Sequence, residues 1–297
     1  MRKAIISLTV GAMMAMLGSG SASAGVLWGN SAGSDLSSFD TTTGNQLNQT
    51  FPAEGNGRGV VQVGNVLYTT VASSNNVYTK NATTLAPTGI AFSVAAASGL
   101  SAIAYDGTNF WVGDYSGTNQ AYLYTPTGTL LMTHTLVNSV GYYDGLEFFN
   151  GKLIAAEFDG GYAYAGGNQY SVYDATTGAL LVTDFINTGL APAGHQNGTG
   201  IAFDGTNFYV SDIFGNDVTI WDGTTGAYIG FLTLQGSHPY VEDLSVDYAG
   251  RQDTCGDPGQ PPCNDDGTDV PEPGTLLLLG TGLLALGALR RRRKTQA

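Results

Sequence analysis

Apolar residues in this chain come in short alternating runs, broken at close intervals by glycine, asparagine and aspartate. The run Gly200-Ile201-Ala202-Phe203 is followed by Asp204-Gly205, then by Phe208-Tyr209-Val210, Val218-Thr219-Ile220-Trp221, and Tyr228 to Leu234. Segments of this kind bounded by Asp-Gly and Asn-Gly pairs predict short strands joined by tight hairpins. The pattern repeats. Asp106-Gly107-Thr108-Asn109-Phe110 returns as Asp204-Gly205-Thr206-Asn207-Phe208, and equivalent anchors fall at Gly59, Ala102, Gly145, Gly200 and Asp243. Their spacings are 43, 43, 55 and 43 residues. Four short strands in a unit of that length predict an all-β fold, a β-propeller with one four-stranded blade per repeat.

The ends of the array complement each other. The first unit, Val26 to Phe51, carries Phe39-Asp40-Thr41-Thr42-Thr43-Gly44 where the best unit has Trp221 to Gly226, so it lacks a first strand. The last copy, Val241 to Ala249, has only a first strand. Pairing the N- and C-terminal strands would complete a fifth blade and leave no open edge in the ring. The best unit also resembles NHL-type propeller repeats, through Gly200-Ile201-Ala202-Phe203-Asp204, Tyr209-Val210, Asp212 and Asn216. That resemblance implies a fold and not an activity.

Charge is distributed unevenly. Seven of the 11 basic residues lie at the two ends, and the stretch between carries four against all 24 acidic residues, a net charge of −20. Such a body repels phosphate backbones, which excludes nucleic acid as a partner and leaves cations, neutral glycans and basic partners. At the start, Arg2 and Lys3 precede an apolar stretch from Ala4 to Leu17 and then Ala22-Ser23-Ala24. These are the parts of a secretory signal peptide, residues 1–24. The body then spans 25–250. Residues 251–269 form an acidic Pro/Gly-rich linker, in which Cys255 and Cys263 predict a small-loop disulfide for an exported chain.

Residues 270–297 close the chain with Val270-Pro271-Glu272-Pro273-Gly274, an apolar run over 275–289, and Arg290 to Lys294. A run of that length spans roughly 22 Å, short of the ~30 Å hydrocarbon core, so it predicts a short transmembrane segment whose arginines snorkel to the cytoplasmic interface. The order of the three parts resembles the PEP-CTERM sorting signal. That resemblance implies a bacterium that makes exopolysaccharide and recognition near Pro271, Glu272 and Pro273 by an exosortase-type membrane peptidase. It also implies a transient inner-membrane tether, then delivery to the cell surface or extracellular matrix, where biofilm polysaccharide would surround the body.

Candidate chemistry gathers in the fourth blade, where the 55-residue spacing places extra residues in FDGGYAYAGGNQY and around LAPAGHQ. Tyr142, Tyr143, Tyr162, Tyr164 and Tyr170 are candidates for stacking on sugar rings, with His195 beside them. Asp144, Glu147, Glu242 and Asp243 start their blades near the channel where other blades carry small residues, so they are candidate ligands for a divalent metal such as calcium. The ring Asn30, Thr70, Asp114, Glu157 and Asp212 at the ends of second strands is read as bonding local backbone. Nucleophile motifs such as Gly-x-Ser-x-Gly and His-Glu-x-x-His are missing. Three readings follow: a non-enzymatic propeller binding extracellular polysaccharide or a surface protein, a metal-dependent hydrolase or lyase with its ion at the channel mouth, and a purely structural matrix protein.

Overall fold

The computed structural model describes residues 25–33, 35–115, 117–139, 143–157, 167–236, 238 and 240–248. The chain divides into a unit ending at Asp253 and a second from Thr254 onwards, and the described residues belong to the first. They form twenty strands. Blade 1 contains β1 (Val26–Ser31), β2 (Leu36–Asp40) and β3 (Gln46–Thr50), and blade 2 runs from β4 (Gly57–Val63) through β5 (Val66–Val71) and β6 (Asn76–Asn81) to β7 (Pro87–Ser93). Blade 3 contains β8 (Leu100–Tyr105), β9 (Phe110–Asp114), β10 (Gln120–Tyr124) and β11 (Leu130–Thr135). Blade 4 follows with β12 (Leu146–Phe149), β13 (Lys152–Ala156), β14 (Gln169–Asp174) and β15 (Leu180–Asn187). Blade 5 has β16 (Gly198–Phe203), β17 (Asn207–Asp212), β18 (Asp217–Asp222) and β19 (Tyr228–Thr233), before the last strand, β20 (Val241–Ser245).

The five sheets are antiparallel and four-stranded, and blade 1 has the order β20-β1-β2-β3. β20 pairs with β1 through Trp28↔Ser245, Gly29↔Leu244 and Asn30↔Asp243, so strands from the two ends of the body complete one blade. First strands touch in a closed cycle, β4 to β8, β12, β16, β20 and back to β4. The ring is therefore a five-bladed propeller.

Side chains stitch the inner strands where sheet pairing stops. On β20, Asp243 accepts from Val60 N (3.1 Å), Ser245 Oγ from Gln62 N (2.9 Å), and the following Asp247 from Gly64 N (3.0 Å). Alternate residues along β20 and just beyond it thus supply acceptors to alternate amides of the next blade, the Val60 amide among them fully buried. Large buried rings fill the gaps between blades. Phe149 of blade 4 meets Phe203 and Phe208 of blade 5 edge-on, at 5.6 and 5.0 Å between centroids.

The outer hairpins follow from Asp-x-Thr-Thr-Gly. Asp222 Oδ1 accepts from Thr224 N (3.0 Å) and Thr225 N (2.7 Å), and Asp40, Asn81 and Asp174 repeat the arrangement. Those bonds hold the carboxyls of Asp40, Asp174 and Asp222 below the usual range. The closing glycine has two reasons to be glycine. Gly226 has φ +68°, and a Cβ there would lie 1.9 Å from the carbonyl oxygen of Phe185 in the neighbouring blade.

Candidate functional site

Strands alternate direction, so loops joining second to third strands share a face with those joining successive blades. A cavity of about 470 Å³ opens on this face, lined by Ala32, Asn56, Arg58, Ile213, Phe214, Tyr240 and Glu242. Its floor comes from inner strands. Arg58 lies at the start of β4 and Glu242 at the start of β20, and both are buried. Arg58 Nη1 approaches Glu242 Oε1 at 2.7 Å and Asp144 Oδ2 at 3.3 Å, while Nη2 donates to the Tyr115 hydroxyl at 2.8 Å. Arg58 belongs to blade 2 and Asp144 to blade 4, so these bonds cross the channel.

The floor carries two carboxyls for one guanidinium. Burial pushes the Asp144 carboxyl up to about 6, against the pull of Arg58 and a hydrogen bond with Glu242. Glu242 is raised well above the carboxylate range by burial and then by the charge of Asp144. Oδ1 of Asp144 and Oε2 of Glu242 have no nitrogen or hydroxyl donor. Burial and the proximity of the two carboxyls both favour keeping a proton on the pair, because two like charges in a dry site do not both ionise easily.

The rim is built rather than loose. Tyr240 accepts from Ala32 N (3.0 Å) and donates to Ile213 O (3.2 Å), tying three lining residues together. Tyr240 sits at φ +64° and Asn56 at φ +21°, a left-handed conformation that costs a bulky residue about 1–2 kcal/mol. Tyr240 is 47% and Phe214 50% exposed, and their rings meet edge to face with centroids 6.4 Å apart.

The sequence that follows the propeller strands carries the sorting information. The PEP-CTERM protein-sorting motif matches residues 269–293. This chain carries that motif. It implies processing by exosortase, a membrane protein, and marks a protein exported, held transiently in the membrane and then released to the cell surface. No helix among the described residues is long and apolar enough to cross a membrane, and the run 275–289 lies outside them. No curated protein matches this sequence. Among solved structures, its fold is similar to a chain in a crystal structure of a nidogen/laminin complex, at TM-score 0.51 and 13% identity over 76% of this chain and 99% of that one. Glutaminyl cyclase from Myxococcus xanthus aligns at TM-score 0.45 and 15% identity, over 59% of this chain and 69% of that one. The first likeness concerns the fold alone.

The sequence-predicted residues meet different fates. Tyr143 and Tyr170 are fully buried, their hydroxyls donating to Gln120 O and Thr199 O at 2.8 Å each, so neither offers a ring face to a ligand. This corrects the stacking role expected for them: each ring packs inside the protein with its hydroxyl spent on a backbone carbonyl. Tyr142, Tyr162 and Tyr164 lie outside the described residues, as do residues 1–24, Cys255, Cys263, Pro271, Glu272 and Pro273. His195 is tied to Asp217 at 2.7 Å and stacked on Phe231 at 4.2 Å, while His238 is bonded to Asp35 at 2.9 Å.

The four acids expected to share a metal separate into two uses. Asp144 and Glu242 meet on Arg58. Asp243 instead clamps Val60 N and Ile201 N, and Glu147 accepts from Phe148 N, Phe203 N and the Tyr248 hydroxyl. Among the described residues, no group of three or more His, Cys, Asp or Glu is arranged to hold a metal ion. Of the second-strand ring, Asp212 bonds the turn after it through Phe214 N and Gly215 N, as the local reading expects, while Asn30 reaches Gly59 O of the next blade.

Arg58, Asn56, Phe214 and Tyr240 were missed. A signal for Arg58 existed. Arg58, Ser101, Asp144, Thr199 and Glu242 each stand one residue before their repeat anchor, so a single register holds a rare body arginine and two acids.

Proposed function

We propose that this exported PEP-CTERM protein is a non-enzymatic binding propeller that captures saccharide at the channel-mouth cavity, with surface or matrix polysaccharide as its partner. The observation that carries the reading is the pairing of two half-exposed aromatic rings at the rim, Phe214 and Tyr240, with a buried floor of planar charged groups. Sugars present apolar C–H faces that pack on rings and hydroxyl pairs that bond guanidinium and carboxyl groups. The cavity volume falls in the range of small-ligand sites. Rim strain at Tyr240 supports the reading, because the fold keeps an unfavourable backbone where it frames the opening.

Isothermal titration with a panel of neutral oligosaccharides tests the reading. The intact protein is expected to bind at least one of them. Phe214→Ala and Tyr240→Ala should each weaken that binding by about tenfold, the equivalent of ~1.4 kcal/mol for a lost ring contact. Binding that persists unchanged in both variants, or no binding by the intact protein, overturns it.

A further inference from the structure

We propose that the cavity takes the uncharged end of a saccharide chain, entering end-on, and rejects ends that carry a carboxylate. The inference rests on the saccharide reading above and narrows it. Two features of the floor carry it.

The first is closure. Arg58, Asp144 and Glu242 occupy one repeat register in blades 2, 4 and 1, and the Arg58 guanidinium joins the other two while also bonding Tyr115 of blade 3. Side chains from four of the five blades thereby meet on one cation at the channel axis. A chain entering from the loop face stops at this plug, so the cavity holds a terminus and not the middle of a threaded polymer.

The second is charge. Arg58 is the cation among the lining residues, and it is held by two carboxyls and a phenol. The other lining residues, Ala32, Asn56, Ile213, Phe214 and Tyr240, are neutral. With one proton shared by Asp144 and Glu242 the floor is neutral, and without it the floor is net −1. In neither state does it offer a surplus positive charge to a carboxylate. Residues 25–250 carry 18 acidic residues against three basic ones, so the long-range field opposes an anion as well. Hydroxyl groups meet no such opposition. They donate to Glu242 and accept from Asn56 without changing the charge of the site.

The test compares one neutral oligosaccharide with the same chain oxidised to a uronate at its non-reducing end, titrated against the full protein and against the double variant Asp144→Asn with Glu242→Gln. The intact protein should bind the neutral chain at least tenfold more tightly than the uronate. The double variant leaves Arg58 with no opposing carboxyl and the floor net +1, so it should cut that ratio at least fivefold, whatever the change in neutral binding. Ala32→Lys, which adds a cation to the cavity lining, is the second variant, should the double variant fail to fold, with the same expected change in ratio. A uronate bound as tightly as the neutral chain, or a ratio unmoved in the folded variant, overturns the inference and leaves the saccharide reading intact. Binding of neither chain overturns both.

Discussion

Replacing Asp144 by asparagine should make the protein more stable at neutral pH, although it removes half of an ion pair. Asp144 titrates near 6 in the folded chain, against an ordinary carboxylate value near 3.9. The folded state therefore holds a proton that the unfolded state has lost over that interval. Stability must fall as pH rises from about 4 to about 6, and then level off. Two units correspond to roughly 3 kcal/mol, the amount by which ionised Asp144 disfavours the fold at pH 7 even with Arg58 beside it. Asparagine keeps the shape, stays neutral, and offers Glu242 an N–H. At pH 7, Asp144→Asn should gain about 1–3 kcal/mol, which for a ring of this size raises the melting temperature by roughly 3–10 °C. At pH 4 the two proteins should melt within about a degree of each other, since both are neutral at that position. Melting curves followed by circular dichroism from pH 4 to pH 8 would show it. A variant that melts lower than the parent at pH 7, or that keeps the parent's slope between pH 4 and pH 6, would refute the argument.

Further outcomes follow from other contacts. Asp243→Ala should lose about 2–5 kcal/mol in urea unfolding, because Val60 N and Ile201 N are left buried without an acceptor. Gly226→Ala should lose at least about 2 kcal/mol by the same measurement, since its φ of +68° and the Phe185 carbonyl 1.9 Å from the new Cβ both oppose a side chain. Changing Pro271, Glu272 and Pro273 together to alanine should leave the chain in the membrane fraction and deplete it from the cell surface, as read by fractionation and immunoblotting.

The ring was legible because its causes are local. Asp-Gly turns, alternating apolar runs and the spacing of the anchors specify hairpins one at a time, and complementary half-units at the ends specify how they join. The site was less so. Tyr143 and Tyr170 look exposed among glycines, yet their hydroxyls find carbonyls inside the ring, and only packing decides that. Asp144 and Glu242 were picked out as exceptions to the repeat, but their partner Arg58 lies 86 positions from Asp144, in another blade. The common register was visible in the sequence. That a guanidinium would bridge it across the channel depends on ring diameter, which no local pattern encodes. Tyr240 owes its place on the rim to a left-handed backbone that aromatic residues rarely adopt.

The blade shared by β1 and β20 ties folding to passage through the membrane. A chain exported from its amino end delivers β1 first and β20 last, so four blades can form outside while the ring stays open. The mate for β1 emerges about 210 residues after it, and loop closure of that length is slow. Once Ser245 has crossed, the linker and the PEP-CTERM motif come next. The ring can thus lock only as its sorting signal reaches the membrane, which makes completion of the fold and presentation to the peptidase nearly simultaneous. An unfinished chain would hold an unpaired β1 edge and no signal for release.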